Sequence, residues 1–342
     1  MKVKYLTNCL FSIFLVSACT SVRNPSSSDI SYNPDRFLIL TADDFGASKN
    51  INEGIELAAN ENVITAISAL TNFSESLPDL KRIAENHPHI GIGVHLNITT
   101  GRPVLGAEQI PSLVNNAGDF HTIDEILSKT KTISLDELRK ELRAQITELT
   151  KYNIKLDHLS DQYGILSLYS PFFEVMTELA KEFNAPVRAP ISASTKHPNI
   201  FKGTRVNKFR RQIVSRFAFS HPFKALRLLK YTRIHEMEKK AKKLNDLGVP
   251  HPDLLIVSFW GDPTTDNFLH IMEHLPKGIS EIILHIGTQT RQVDYPSGLD
   301  VDYFKHREYE LATITNEYLR THMNHLNIKT IGYSEIVKNR HE

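Results

Sequence analysis

Asp43 and Asp44 close a short apolar run, in Phe37-Leu-Ile-Leu-Thr-Ala-Asp-Asp-Phe-Gly46. A run of this length, ended by glycine, reads as a buried parallel strand followed by a turn. Carboxylates at the C-terminal end of such a strand lie where α/β folds place their chemistry. Two neighbouring like charges repel, so they call for a cation, a shared proton or water. A metal held by one, with the other free as a base, is the arrangement of most use to an enzyme. A solvated turn that favours aspartate is the plain alternative.

Other polar residues fall at the ends of later apolar runs. His95 and Asn97 follow the third, His158, Asp161 and Gln162 the fourth, Arg188 the fifth, Trp260 and Asp262 the sixth, and His285 the seventh. The strands that would carry them are expected at 37–41, 64–70, 91–96, 155–159, 186–189, 254–259, 281–286 and 329–332. Helical spacing fills the gaps at 51–62, 77–86, 135–152, 171–183 and 303–326, with cap residues such as Ser134 and Ser170. Alternation of this kind implies parallel strands with crossover helices. Seven to eight repeats predict an α/β fold, a TIM-like (β/α) barrel whose strand ends gather at one mouth.

Two insertions interrupt the alternation. Residues 100–134, with Gly101, Pro103, Gly106, Pro111 and Gly118, read as an ordered loop over one barrel mouth. Residues 196–243, inside an insertion ending near 250, are rich in Lys and Arg with Phe209, Ile213, Phe217 and Phe223 at roughly helical spacing. A basic amphipathic helix pair suits an anionic surface; a solvated face over an apolar seam, or a homodimer contact, is the alternative.

The 342 residues carry a formal net charge of +1, and no nucleic-acid partner is expected. The two cysteines, Cys9 and Cys19, both lie in the first twenty residues, so the fold from residue 36 onward has neither a disulfide nor a thiolate ligand. Lys2, Lys4 and an apolar stretch ending in Leu15-Val-Ser-Ala-Cys19 resemble a bacterial lipoprotein signal, residues 1–18 being removed and Cys19 lipidated. Residues 19–35 then read as a flexible tether. The expected location is the bacterial cell envelope, on the outer membrane or periplasmic side.

Ala42-Asp-Asp-Phe-Gly46, Gly93-Val-His-Leu-Asn97 with Thr99, Gly101 and Pro103, and Leu284-His285 followed by Gly287 resemble the YdjC/ChbG-like carbohydrate deacetylases. The resemblance runs through nearly everything after residue 36. It implies a (β/α) barrel, one divalent metal ion (Mg2+ or Zn2+) and removal of acetyl groups from N-acetylated oligosaccharides. On this resemblance Asp43 matches the general base, Asp44 and His95 metal ligands, and His285 the general acid. The family's third ligand is the last histidine of a Thr-His-Xaa-Asp-Ser-His segment. Here His158 matches its first histidine, Ser160 and Asp161 replace Asp-Ser, and Gln162 takes the ligand position.

A glutamine oxygen is neutral and a weaker donor than imidazole toward transition metals. Three outcomes are open: Gln162 holds a harder ion, Asp161 swings in as a charged ligand, or the chemistry is lost and the chain is a carbohydrate-binding lipoprotein. Successive strand residues face opposite ways, so Asp161 and Gln162 both aim inward only if the strand has already ended. Arg188 is read as orienting Asp43 or holding a sugar oxygen. Asn97, His158, Trp260 and Asp262 are read as sugar-binding, with the Trp260 ring face suited to stacking.

Overall fold

The computed structural model describes residues 35–202, 230–257, 262–288 and 301–339, and positions 215, 219, 222, 223 and 226. Cys19, Trp260 and most of positions 203–229 within the basic insertion lie outside the described residues, and with them the signal segment and nearly all of the tether. Among the described residues no helix is long and apolar enough to cross a membrane.

Among the described residues there are seven parallel strands: β1 (Arg36–Phe45), β2 (Ala66–Ala69), β3 (Gly91–Leu96), β4 (Leu159–Asp161), β5 (Leu254–Val257), β6 (Gly278–Leu284) and β7 (Ile328–Thr330). The longer helices are α1 (Lys49–Asn60), α2 (Leu77–Asn86), α3 (Leu135–Lys151), α4 (Ser170–Glu182), α5 (Ile234–Asp246), α6 (Thr265–Glu273), α7 (Val301–Ile314) and α8 (Glu317–His325). Six strands lie in the order β4-β3-β2-β1-β6-β5, with β1 at the centre. β6 covers one edge of β1 along its length, while β7 and β2 pair with its beginning and end. α1, capped by the Ser48 side chain, turns an apolar stripe inward and buries Ile51, Ile55, Ala58 and Ala59.

β4 and β5 are bridged by residues 186–192, which meet β4 at Leu159–Val187 and β5 at Ser192–Leu255 by single parallel bridges. The sheet is therefore barrel-like, but it is not the complete TIM barrel expected. The fifth expected strand is missing as a ladder because Pro186 and Pro190 have no N–H to donate. Arg188 is nonetheless fixed, its N–H donating to Leu159 O at 2.9 Å.

Two other expectations need correction. The fourth strand starts later, at Leu159, although Asp157 N already donates to Ile92 O at 2.8 Å. The long C-terminal helix is two, α7 and α8, because the Asn316 side chain accepts from Tyr318 N and starts a new helix. The loop at 100–134 is ordered, as expected. The buried Glu141 of α3 accepts from Val104 N at 2.9 Å and Leu105 N at 3.0 Å.

Candidate active site

The first strand runs past its expected end to Phe45, so both aspartates lie inside it. In a regular strand they would face opposite sides of the sheet. The pairing with β2 shifts here: Ala42 faces Ile67 and Phe45 faces Ala69, three steps against two. Asp44 takes up the extra residue in a left-handed conformation, φ 72°. This bulge brings both carboxylates to one histidine, His95 Nε2 lying 3.8 Å from Asp43 Oδ2 and 3.6 Å from Asp44 Oδ1.

His95 is held from behind. Its Nδ1 lies 2.8 Å from Ser160 Oγ, and Ser160 donates to Ser68 Oγ at 2.9 Å. Ser68 Oγ lies 3.0 Å from His158 Nε2, and His158 Nδ1 3.1 Å from Asp157 Oδ2. One direction of donation satisfies the whole chain: His95 to Ser160, Ser160 to Ser68, Ser68 to His158, His158 to Asp157. A neutral His95 in this arrangement turns its Nε2 lone pair toward two carboxylates, three acceptors converging on one point. That donor set fits a divalent cation, and the relay behind it is the kind that orients a ligating histidine.

Each aspartate also has its own guanidinium. Arg188 grips Asp43 with two parallel bonds of 2.8 and 2.7 Å and donates its Nε to Glu281 at 3.0 Å. Arg307, fully buried on α7, donates to Asp44. Asp43, Asp44 and Glu281 thus share Arg188 and Arg307, and a fourth buried carboxylate, Glu310, accepts from His285 N at 2.6 Å. Burial pushes Asp43 up, but Arg188, His95 and His285 together outweigh it and hold the carboxyl well below the usual range. Asp44 is likewise held low, burial being overcome by Arg307 together with His285 and His95.

These groups open on a cavity of about 410 Å3, walled by Gln162, Tyr163, His285 and apolar residues such as Leu168, Pro190 and Leu255. Burial drives His285 down to about 4 against the pull of Asp44. Between pH 6.5 and 4 the unfolded chain takes up a proton that the native site refuses. Stability from this histidine is therefore complete above about 6.5 and declines toward 4, by at most about 3 kcal/mol. In metal-free protein, His285→Gln is expected to flatten the fall of Tm across that interval; parallel curves for the two proteins would contradict the assignment.

The remaining expected residues divide. β4 ends at Asp161, so Asp161 and Gln162 both reach the cavity wall. The Asp161 oxygens accept from Ser167 N and Oγ at 2.8 and 2.7 Å, which commits that carboxylate to the following turn. Gln162 Oε1 accepts a long bond, 3.3 Å, from Thr99 Oγ1. Asn97 and His158 are fully buried and stand beneath the cavity rather than on it. Asn97 ties the 97–100 turn by accepting from Thr99 N and Thr100 N. His158 stacks on Tyr333 with centroids 4.1 Å apart, in space that exists because residue 93 is glycine; a Cβ there would meet the ring at 2.4 Å. Asp262 accepts from Thr264 ahead of α6 and is not part of the cavity wall.

Residues the sequence did not single out are Arg307, Glu281, Ser68, Tyr163 and Lys240. Glu281 had a signal, a charge inside an apolar strand, whereas Arg307 looks like any other charge on a polar helix. Tyr163, at φ 56° directly after Gln162, is 60% exposed. Lys240 belongs to the insertion yet lines the cavity, its Nζ donating to Ser167 O and Leu168 O at 2.6 and 2.9 Å.

The architecture and sequence have known relatives. A putative cellobiose-phosphate cleavage protein from Enterococcus faecalis V583 superposes with a TM-score of 0.67 at 22% identity, over 88% of this chain and 98% of that one. A carbohydrate deacetylase of Brevibacillus brevis is 26% identical over 300 residues, 87% of this chain and 99% of its own. A chitooligosaccharide deacetylase of Proteus mirabilis is 30% identical over 152 residues, 44% of this chain and 58% of its own. The family model described as YdjC-like protein matches residues 37–325, from β1 through α8, and so takes in the bulged aspartates, His95, Arg188 and His285 together. This chain belongs to the YdjC-like family.

Proposed function

We propose that the protein is a hydrolase removing acetyl groups from N-acetylated oligosaccharides, with a divalent metal held by Asp44, His95 and Gln162. The observation that carries this is the convergence of Asp43 and Asp44 on His95 Nε2, an acceptor cluster suited to a cation beside a carboxylate that Arg188 holds in place. The full-length match to a carbohydrate deacetylase points the same way. An ion at this position supplies what amide hydrolysis lacks, a more acidic water and a polarised carbonyl.

Asp43 is the base. It is ionised at neutral pH, and Arg188 fixes both of its oxygens, so the carboxylate needs no reorientation to accept a proton from water. Arg188 acts here as a positioning residue. His285, uncharged near pH 7 in the metal-free protein, relays to the departing amine nitrogen the proton that Asp43 takes from water. The apolar wall of Leu168, Pro190 and Leu255 seats the acetyl methyl and the less polar face of the sugar. A second assignment rests on the low proton affinities: His285 is uncharged near pH 7 in the metal-free protein and is itself able to take the first proton.

Tyr163 offers the exposed ring face at the rim that was sought in Trp260. Tyr163→Ala is expected to raise KM about 3- to 10-fold with little change in kcat, the range expected for one aromatic contact. An unchanged KM would remove the ring from the binding site. The substrate is proposed to be met outside the cytoplasm, on the strength of the lipoprotein-like segment ending at Cys19.

The function itself is tested by acetate release from a panel of acetylated oligosaccharides with magnesium, zinc or calcium added in turn. Release with at least one ion supports the enzyme. Binding of the same oligosaccharides without acetate from any of them would favour the carbohydrate-binding lipoprotein.

A further inference from the structure

A second group of metal-type ligands lies away from the mouth. His270, Glu273 and His274 occupy positions i, i+3 and i+4 of α6, hence one face of the helix, and their ligand atoms all fall within 4.8 Å of one another. Two histidines four apart on a helix converge well on a zinc ion. A fourth ligand-type side chain lies on the neighbouring helix α8, where His322 Nε2 is 3.7 Å from Glu273 Oε1. Because α6 ends just before β6 begins at Gly278, the group sits at the end of the barrel where strands start, opposite the cavity.

Two further observations point to a ligand. His270 Nε2 and His322 Nε2 are buried atoms without a hydrogen-bond partner among the described residues. His274 Nδ1 lies 2.8 Å from His270 O, which places its proton on Nδ1 and leaves Nε2 bare, the second contact typical of ligating histidines. The rings of His270 and His274 are already side by side, with centroids 4.3 Å apart. Ligand atoms around tetrahedral zinc stand about 3.3 Å apart, so small side-chain rotations close the cluster. Three imidazoles and one carboxylate select zinc or a neighbouring transition metal over magnesium or calcium.

We propose that His270, Glu273, His274 and His322 form a zinc site that ties α6 to α8, independent of the site at the mouth. The test uses the full chain without an affinity histidine tag, carrying Asp44→Asn to weaken the mouth site. Zinc binding is followed by calorimetry, and cobalt substitution by its visible absorption. Expected are one zinc per chain, a tetrahedral cobalt spectrum, and a Tm that rises with zinc. Adding His322→Ala should weaken zinc binding at least about tenfold, since even outer partners of ligating histidines are worth 10–100-fold. Adding His270→Ala with His274→Ala should abolish the spectrum. Glu273→Gln, which keeps shape while removing charge, should weaken binding without lowering the zinc-free Tm. Zinc binding unchanged by all three substitutions, or no zinc bound by the parent, would overturn the proposal.

Discussion

Acetate release by the Asp43→Asn protein is expected to fall by about 10²-fold or more, the contribution typical of a positioned general base being about 10²–10⁴. Asparagine keeps the size of the side chain and one acceptor for Arg188 but has no useful proton affinity. The guanidinium also keeps its bond to Glu281, so the buried charge is not stranded and the fold should survive. Metal content should be close to that of the parent, because Asp44 and His95 are untouched. Steady-state kinetics beside metal analysis makes the check. Full turnover in this variant would pass the base role to His285; loss of the ion together with activity would make Asp43 a ligand instead.

Asp44→Asn should act in the other order, on metal first. The substitution suits the backbone, since asparagine tolerates the left-handed conformation at φ 72° that the bulge requires. It removes the only charged ligand proposed and leaves the fully buried Arg307 facing a neutral amide. Breaking a buried ion pair costs about 3–5 kcal/mol, and a retained acceptor keeps this variant near the lower end. A clear drop in Tm, a metal affinity at least tenfold weaker, and activity falling in proportion are expected. Wild-type affinity and stoichiometry in this protein would contradict the assignment of Asp44 as a ligand.

The sequence made the site legible to the extent that its members end consecutive apolar runs. Asp43, Asp44, His95, Gln162, Arg188 and His285 all reach one cavity, because parallel strands gather their C-terminal ends whatever lies between them. What strand periodicity does not encode is harder to see. The bulge that turns two adjacent aspartates the same way needs a register shift against β2, and only a paired neighbour reveals it. Asn97 and His158 carry polar atoms at the right positions but spend them on the turn at 97–100 and on the Ser68–Ser160 relay. Arg307 is the converse, a helix arginine whose sequence neighbours Lys305 and Glu308 suggest solvent while its own side chain is fully buried against Asp44. The fifth strand looked regular by composition and is not, since two prolines remove the donors a ladder needs.

The deciding measurement is acetate release by protein stripped with a chelator, assayed before and after one divalent ion is restored. Convergence of three acceptors at the end of β1 and β3 should make activity vanish on stripping and return on addition, in the parent but not in Asp44→Asn. Undiminished hydrolysis by the stripped parent would mean that the cluster around His95 serves some purpose other than holding a catalytic cation.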